Sequence, residues 1–170
     1  GVNGKSNREV LELVSKYDIV YGAIGIQPES VETATEEDFD FIEKHICDDK
    51  ILAVGEIGLD YHYDGDREKQ RNFFKRQLKI AKKYQKPVIV HSRDCIQETY
   101  DILKLSGVKG IVHCYSGSVE MAREFCKIGF YLGIGGIVTF KNAVKLLDVI
   151  KDISLEYIVL ETDSPYLSPE

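Results

Sequence analysis

Six short β-branched, apolar runs, each separated from the next by a segment with helical spacing, constrain this chain more than any other feature. They lie at residues 19–25 (IVYGAIG), 51–55 (ILAVG), 87–91 (PVIVH), 109–113 (KGIVH), 130–134 (FYLGI) and 157–161 (YIVLE). Runs that are apolar on successive residues read as strands covered on both faces, as in a parallel sheet. Between them the apolar residues return at steps of three or four. In 67–85, for example, Phe74, Leu78, Ala81 and Tyr84 fall on one helical face. Start signals agree: Thr35 precedes an acidic first turn, Asp94 precedes a helix over 95–105, and Ser118 opens one that reaches Ile128. Strands alternating with helices predict an α/β fold with a parallel sheet, either doubly wound or a (β/α)8 TIM barrel.

Two observations favour the barrel. Glu56 comes just after the second run, His91 and His113 end the third and fourth, and Asp163 follows the sixth. All four sit at carboxyl ends of strands, where barrel enzymes keep their chemistry. In addition, no GxGxxG or GxxxxGK[ST] follows the first run, as a nucleotide-binding doubly wound sheet would often show. A full barrel has eight strands and about 250 residues, so the 170 residues are expected to form one partial barrel domain over 1–170. The expectation is a fragment lacking strand 1, most of strand 2 and the C-terminal helices.

Charge narrows the partners. Twenty-two Lys and Arg against 28 Asp and Glu leave a net charge of −6, which argues against holding nucleic acid by broad charge neutralisation. A polyanionic substrate would need a local device such as a metal ion. Cys47, Cys95, Cys114 and Cys126 form no CxxC pair, so reduced thiols are expected. No apolar run approaches the roughly 18 residues of a membrane span, and the first ten residues carry no signal-peptide pattern. The expected compartment is the cytoplasm, with no membrane partner.

Neutral imidazole and carboxylate oxygen both coordinate first-row divalent metals. Two of each, converging from four strand ends, therefore make a plausible metal site, whereas any one alone reads equally as a hydrogen-bonded structural residue. The surrounding wording is more specific. AVGEIGLDYH at 53–62, PVIVHSRD at 87–94, IVHCYSG at 111–117, GIVTFKNA at 136–143 and LETDSPYL at 160–167 together resemble the TatD family of metal-dependent deoxyribonucleases. The resemblance implies a (β/α)8 barrel and a site for two divalent ions, with Mg²⁺ or Mn²⁺ expected for activity and Zn²⁺ an alternative. It also implies that Glu56 bridges the ions, His91 and His113 hold one, and Asp163 binds the other and orients or deprotonates the attacking water.

The chain departs from the family pattern in three places. It contains no HxH pair, which in the family belongs to the first strand and completes the second metal position. Gln27, in GIQPE, stands where members commonly carry a histidine, and it can donate a hydrogen bond to phosphate but cannot act as acid or base. The sequence also ends shortly after the LETDSPYL segment. One occupied metal position, or weak binding, is therefore the expectation for this chain.

Further substrate-facing candidates each carry a structural alternative. Arg93 is placed to clamp a phosphate, or Ser92 to Asp94 is only a helix cap. Tyr61 and His62 line the pocket, or pack on the barrel rim. Ser116 with Gly117 presents a hydroxyl and an N–H, or makes a tight turn. Gly133, Gly135 and Gly136 admit a phosphate, or only shape a turn. His45 reads as structural, and the Lys and Arg residues of 75–86 read as a solvated helix face rather than a nucleic-acid patch. The expected activity is metal-dependent hydrolysis of DNA phosphodiesters, of the 3′ to 5′ exonuclease type, on single strands or 3′ ends. The alternatives are a D-aminoacyl-tRNA deacylase-type or other ester or amide hydrolase, and a non-catalytic metal-binding fragment. Open sheet edges add self-association to the expectations.

Overall fold

In the computed structural model, which describes residues 1–170, a strand lies in or begins within each of the six apolar runs. These are β1 (Gly22–Ile24), β2 (Ile51–Asp60), β3 (Val88–Arg93), β4 (Gly110–Val112), β5 (Phe130–Ile134) and β6 (Ile158–Leu160). The helices are α1 (Gly4–Lys16), α2 (Glu36–His45), α3 (Arg67–Lys83), α4 (Ile96–Ser106), α5 (Val119–Lys127) and α6 (Val144–Asp152). All five strand pairings are parallel and the sheet order follows the chain, β1-β2-β3-β4-β5-β6. A doubly wound sheet reverses its strand order at a switch point. This one never does, so the right-handed crossovers put every connecting helix on the same outer face. The topology is that of an arc of a (β/α)8 barrel.

Strand alternation divides the sheet residues between two surfaces. Val54, Val88, Val90, Val112, Phe130 and Leu132 are fully buried on the helix side, in one cluster with Phe39, Phe74, Leu78 and Phe125. Residues of the opposite parity, Ile89, Ile111 and Val159, face the inside of the arc and line a cavity of about 500 Å³. Tyr131, 44% exposed, and Leu160, 89% exposed, lie on β5 and the edge strand β6. No helix is long and apolar enough to cross a membrane.

The start of α5 follows the sequence reading, since Ser118 Oγ accepts the Met121 N–H at 3.3 Å. Thr35 likewise caps α2, donating its N–H to Asp38 at 3.0 Å. Two expectations are corrected. Asp94 does not cap α4: it adopts a left-handed backbone (φ 57°), the cap falls on Cys95, and the Asp94 carboxylate sits 3.0 Å from His62 Nδ1. The second run does not stop before Glu56, because β2 continues to Asp60. It does so because Gly58 (φ 144°) packs on the His91 carbonyl oxygen, where a Cβ would collide.

Buried amides fix the strand exits. Asn7 Nδ2 donates to the Gly25 carbonyl at 2.9 Å and Asn7 Oδ1 accepts its N–H at 3.0 Å. Gln77, from α3, does the same for Ile26 at 3.0 and 2.7 Å. Each side chain thus satisfies two buried backbone groups that no strand pairs. Gln77→Leu leaves Ile26 unsatisfied and is expected to cost about 1–3 kcal/mol, read from the urea midpoint. An unchanged midpoint would show that water reaches these groups.

Candidate active site

Four strands deliver the candidate groups to one end of the sheet. Glu56 lies within β2, His91 within β3, His113 immediately after β4, and Glu161 and Asp163 just beyond β6. Glu56, His113 and Glu161 border the inner cavity. His91 Nδ1 is 3.1 Å from Glu56 Oε1, and its Nε2 is 2.8 Å from Asp60 Oδ2. His113 Nδ1 is 2.5 Å from Glu161 Oε2, and its Nε2 is 3.3 Å from Asp163 Oδ1. Both ring nitrogens of His91 and both of His113 therefore face carboxylates.

Charge follows from that pairing. Burial alone would push the Glu56 carboxyl up, but the hydrogen bond from His91 and the charges of His91 and His113 outweigh it and hold it below the ordinary range. Burial pulls the His91 imidazole down, and its bonds to Glu56 and Asp60 reverse that. The hydrogen bond to Glu161, with Glu56 and Asp163 adding to it, overcomes burial and raises His113 to about 9. Cys114, beside it, is pushed up to about 11 by burial and by Glu161, Asp163 and Glu56. A thiol held protonated is no nucleophile.

Imidazole and carboxylate donors in this mixture suit a divalent cation. No three His, Cys, Asp or Glu side chains stand ready-made around one point, because the imidazoles are turned onto carboxylates instead. The donor chemistry still fits, since protons held between imidazole and carboxylate are what a cation replaces on binding. Glu56, His91, His113 and Asp163 are the groups that would hold it.

The other candidates are spread around this cluster. Tyr61 and Ser116 line a separate cavity of about 500 Å³ with Ser92, Asp94 and Glu98. Tyr61 Oη donates to Glu98 at 2.8 Å and accepts from Arg71 at 3.1 Å, so it is braced on the rim. His62 is exposed against Asp94. Ser116 is exposed on the turn that Tyr115 closes by donating to the Ser118 carbonyl at 2.6 Å. Arg93, the last residue of β3, is exposed with its guanidinium 5.4 Å from the Tyr63 ring centroid, so it does not cap α4. Gln27 follows β1 and tethers its N–H to the Val2 carbonyl at 2.9 Å, apart from both cavities. On α3, Arg76 pairs with Glu36 and Lys83 with Glu43, at 2.6 and 2.7 Å, while Lys82, and Lys86 beyond the helix, donate to backbone carbonyls. These cations are engaged within the fold.

Sequence reasoning missed Asp60 and Glu161 as partners of the histidines. The signal was present. Asp60 lies four residues after Glu56 in one strand, hence on the same face, and Glu161 stands two before Asp163.

Residues 1–170 match the family described as TatD related DNase. The chain belongs to this family. It is 43% identical over 163 residues to the uncharacterized metal-dependent hydrolase YabD of Bacillus subtilis, covering 94% of this chain and 64% of YabD. With YcfH of Escherichia coli, also named an uncharacterized metal-dependent hydrolase, identity is 35% over 162 residues, covering 93% of this chain and 60% of the relative. This TatD-family chain thus spans less than two thirds of the length of these curated relatives. The crystal structure of YjjV, a TatD homologue from Escherichia coli, superposes with a TM-score of 0.93 at 33% identity, over all of this chain and 68% of that one. The partial barrel deduced from strand order is the TatD barrel.

The His113 pairing predicts a pH dependence. A pKa raised from 6.5 to about 9 gives stability that is complete below 6.5 and lost as pH rises through about 9, at roughly 1.4 kcal/mol per pH unit at most. Urea midpoints in EDTA should fall across that window, and more steeply than in His113→Gln. Equal slopes in the two proteins would contradict the pairing.

Proposed function

We propose that the strand-end cluster is the metal centre of a phosphodiesterase acting on DNA, of the 3′ to 5′ exonuclease type. The observation that carries this reading is the meeting of two imidazoles with Glu56, Glu161 and Asp163 at the carboxyl ends of strands, where barrels place their chemistry. The family description, TatD related DNase, and the relatives' names, metal-dependent hydrolases, support the reaction class. A bound divalent cation supplies a Lewis acid for the phosphoryl oxygen and a lowered pKa for water; Mg²⁺ or Mn²⁺ is the proposed ion, with Zn²⁺ next.

The chain's own residues supply the rest. Glu56, held ionised by the two imidazoles, and His91 and His113 present the donors. Asp163, 45% exposed, would take the proton of the attacking water as its oxygen bonds to phosphorus and the ester P–O bond breaks, the leaving oxygen taking a proton from solvent. Arg93, exposed and backed by Tyr63, is free to pair with a neighbouring phosphate. With a net charge of −6, DNA binding rests on such local contacts, so it should be weak and salt-sensitive.

The test is nucleotide release from 3′-labelled single-stranded DNA with Mg²⁺ or Mn²⁺. Cleavage should vanish in EDTA and fall at least about a hundredfold in Glu56→Ala, in line with the loss of a group acting on the metal. Cleavage that survives both controls, or none with any of these ions, would overturn the reading.

A further inference from the structure

The two imidazoles are each gripped by two carboxylates of different kinds. One carboxylate is locked. Asp60 is 3% exposed; its Oδ2 lies 2.8 Å from His91 Nε2 and its Oδ1 accepts the His62 N–H at 2.9 Å. Its own N–H is tied to the buried Gln70 Oε1 at 2.9 Å. Glu161 repeats the arrangement: Oε2 lies 2.5 Å from His113 Nδ1, and Oε1 accepts the Cys114 N–H at 2.8 Å. The other carboxylate is loose. Glu56 meets His91 Nδ1 at 3.1 Å and Asp163 meets His113 Nε2 at 3.3 Å, and neither has a backbone N–H on its side-chain oxygens.

A carboxylate only accepts, so the ring nitrogen facing a locked one must carry a proton. With both oxygens committed, Asp60 and Glu161 cannot turn away to free that nitrogen. The opposite nitrogen faces a carboxylate that can move. We infer that Asp60 and Glu161 are positioning residues that set the two imidazoles as opposite tautomers, offering His91 Nδ1 and His113 Nε2 to a cation. His91 keeps its proton on Nε2 and His113 keeps its proton on Nδ1. The inference rests on the metal-centre reading and adds which atoms ligate and what orients them. Orientation of a ligating histidine by a carboxylate on its other nitrogen also raises ligand basicity.

The chain has four histidines, so the imidazole region of a ¹⁵N spectrum can be read in full. The experiment is a long-range ¹H–¹⁵N correlation on the whole chain loaded with Zn²⁺, a diamagnetic probe, with each ring assigned through its backbone. The expected result is a protonated Nε2 with a metal-bound Nδ1 for His91 and the reverse for His113. By calorimetry, Asp60→Asn and Glu161→Gln should each weaken Zn²⁺ binding about 10- to 100-fold. Asp48→Asn, which breaks the unrelated 2.8 Å pair with His45, should leave it unchanged. Zinc bound through the opposite nitrogens, or affinity untouched by both substitutions, would overturn the inference while leaving a metal centre in place. No zinc bound by the unaltered chain would overturn the metal reading and the inference with it. The spectrum of the unaltered chain decides even where a variant fails to fold.

Discussion

Everything at the site depends on how closely β2 and β3 run together past Gly58. That residue pairs with His91 in the parallel ladder, and its missing side chain lets the His91 carbonyl approach to where a Cβ would stand. The backbone there, at φ 144°, is one that residues with a side chain rarely adopt. The contact carries β2 on to Asp60, and so sets Glu56 and Asp60 four residues apart on the face where His91 projects. Gly25 makes the matching contact on the other side, where a Cβ would stand 2.9 Å from the Gly55 carbonyl carbon. Glycine at these points is a condition for putting two carboxylates against one imidazole.

The second constraint is electrostatic. Buried carboxylates and imidazoles are costly singly and tolerable in pairs, and no buried side-chain polar atom is left without a partner. The cluster's polar groups are therefore partnered, while four carboxylates against two imidazoles leave negative charge in excess. The same economy governs the outside of the barrel, where Arg76 and Lys83 of α3 answer Glu36 and Glu43 of α2. Cations spent on holding helices together are not available to a polyanion. This agrees with a chain of net charge −6 whose approach to phosphate runs through a few local groups.

Most of the fold was legible because periodicity is a direct readout of burial. All six strands lie in or begin from the apolar runs, and α3 ends at Lys83, two residues short of the helical pattern. What was not legible were events decided by tertiary contact. The extension of β2 through Glu56 to Asp60 depends on Gly58 meeting a backbone 33 residues away in sequence. The displacement of the α4 cap from Asp94 to Cys95 depends on His62 capturing the Asp94 carboxylate. The candidate site was half legible: Glu56, His91, His113 and Asp163 were visible as chemistry at strand ends. Asp60 and Glu161 were overlooked because a residue that acts through another carries no motif of its own, only a position on the same strand face.

The claim at the centre is that Glu56, His91, His113 and Asp163 hold a divalent cation. The most direct measurement is anomalous diffraction from crystals of the chain grown with Mn²⁺. The account predicts a peak in contact with Glu56, His91 Nδ1, His113 Nε2 and Asp163. A fully loaded crystal with its manganese elsewhere, or none at the strand ends, would contradict it.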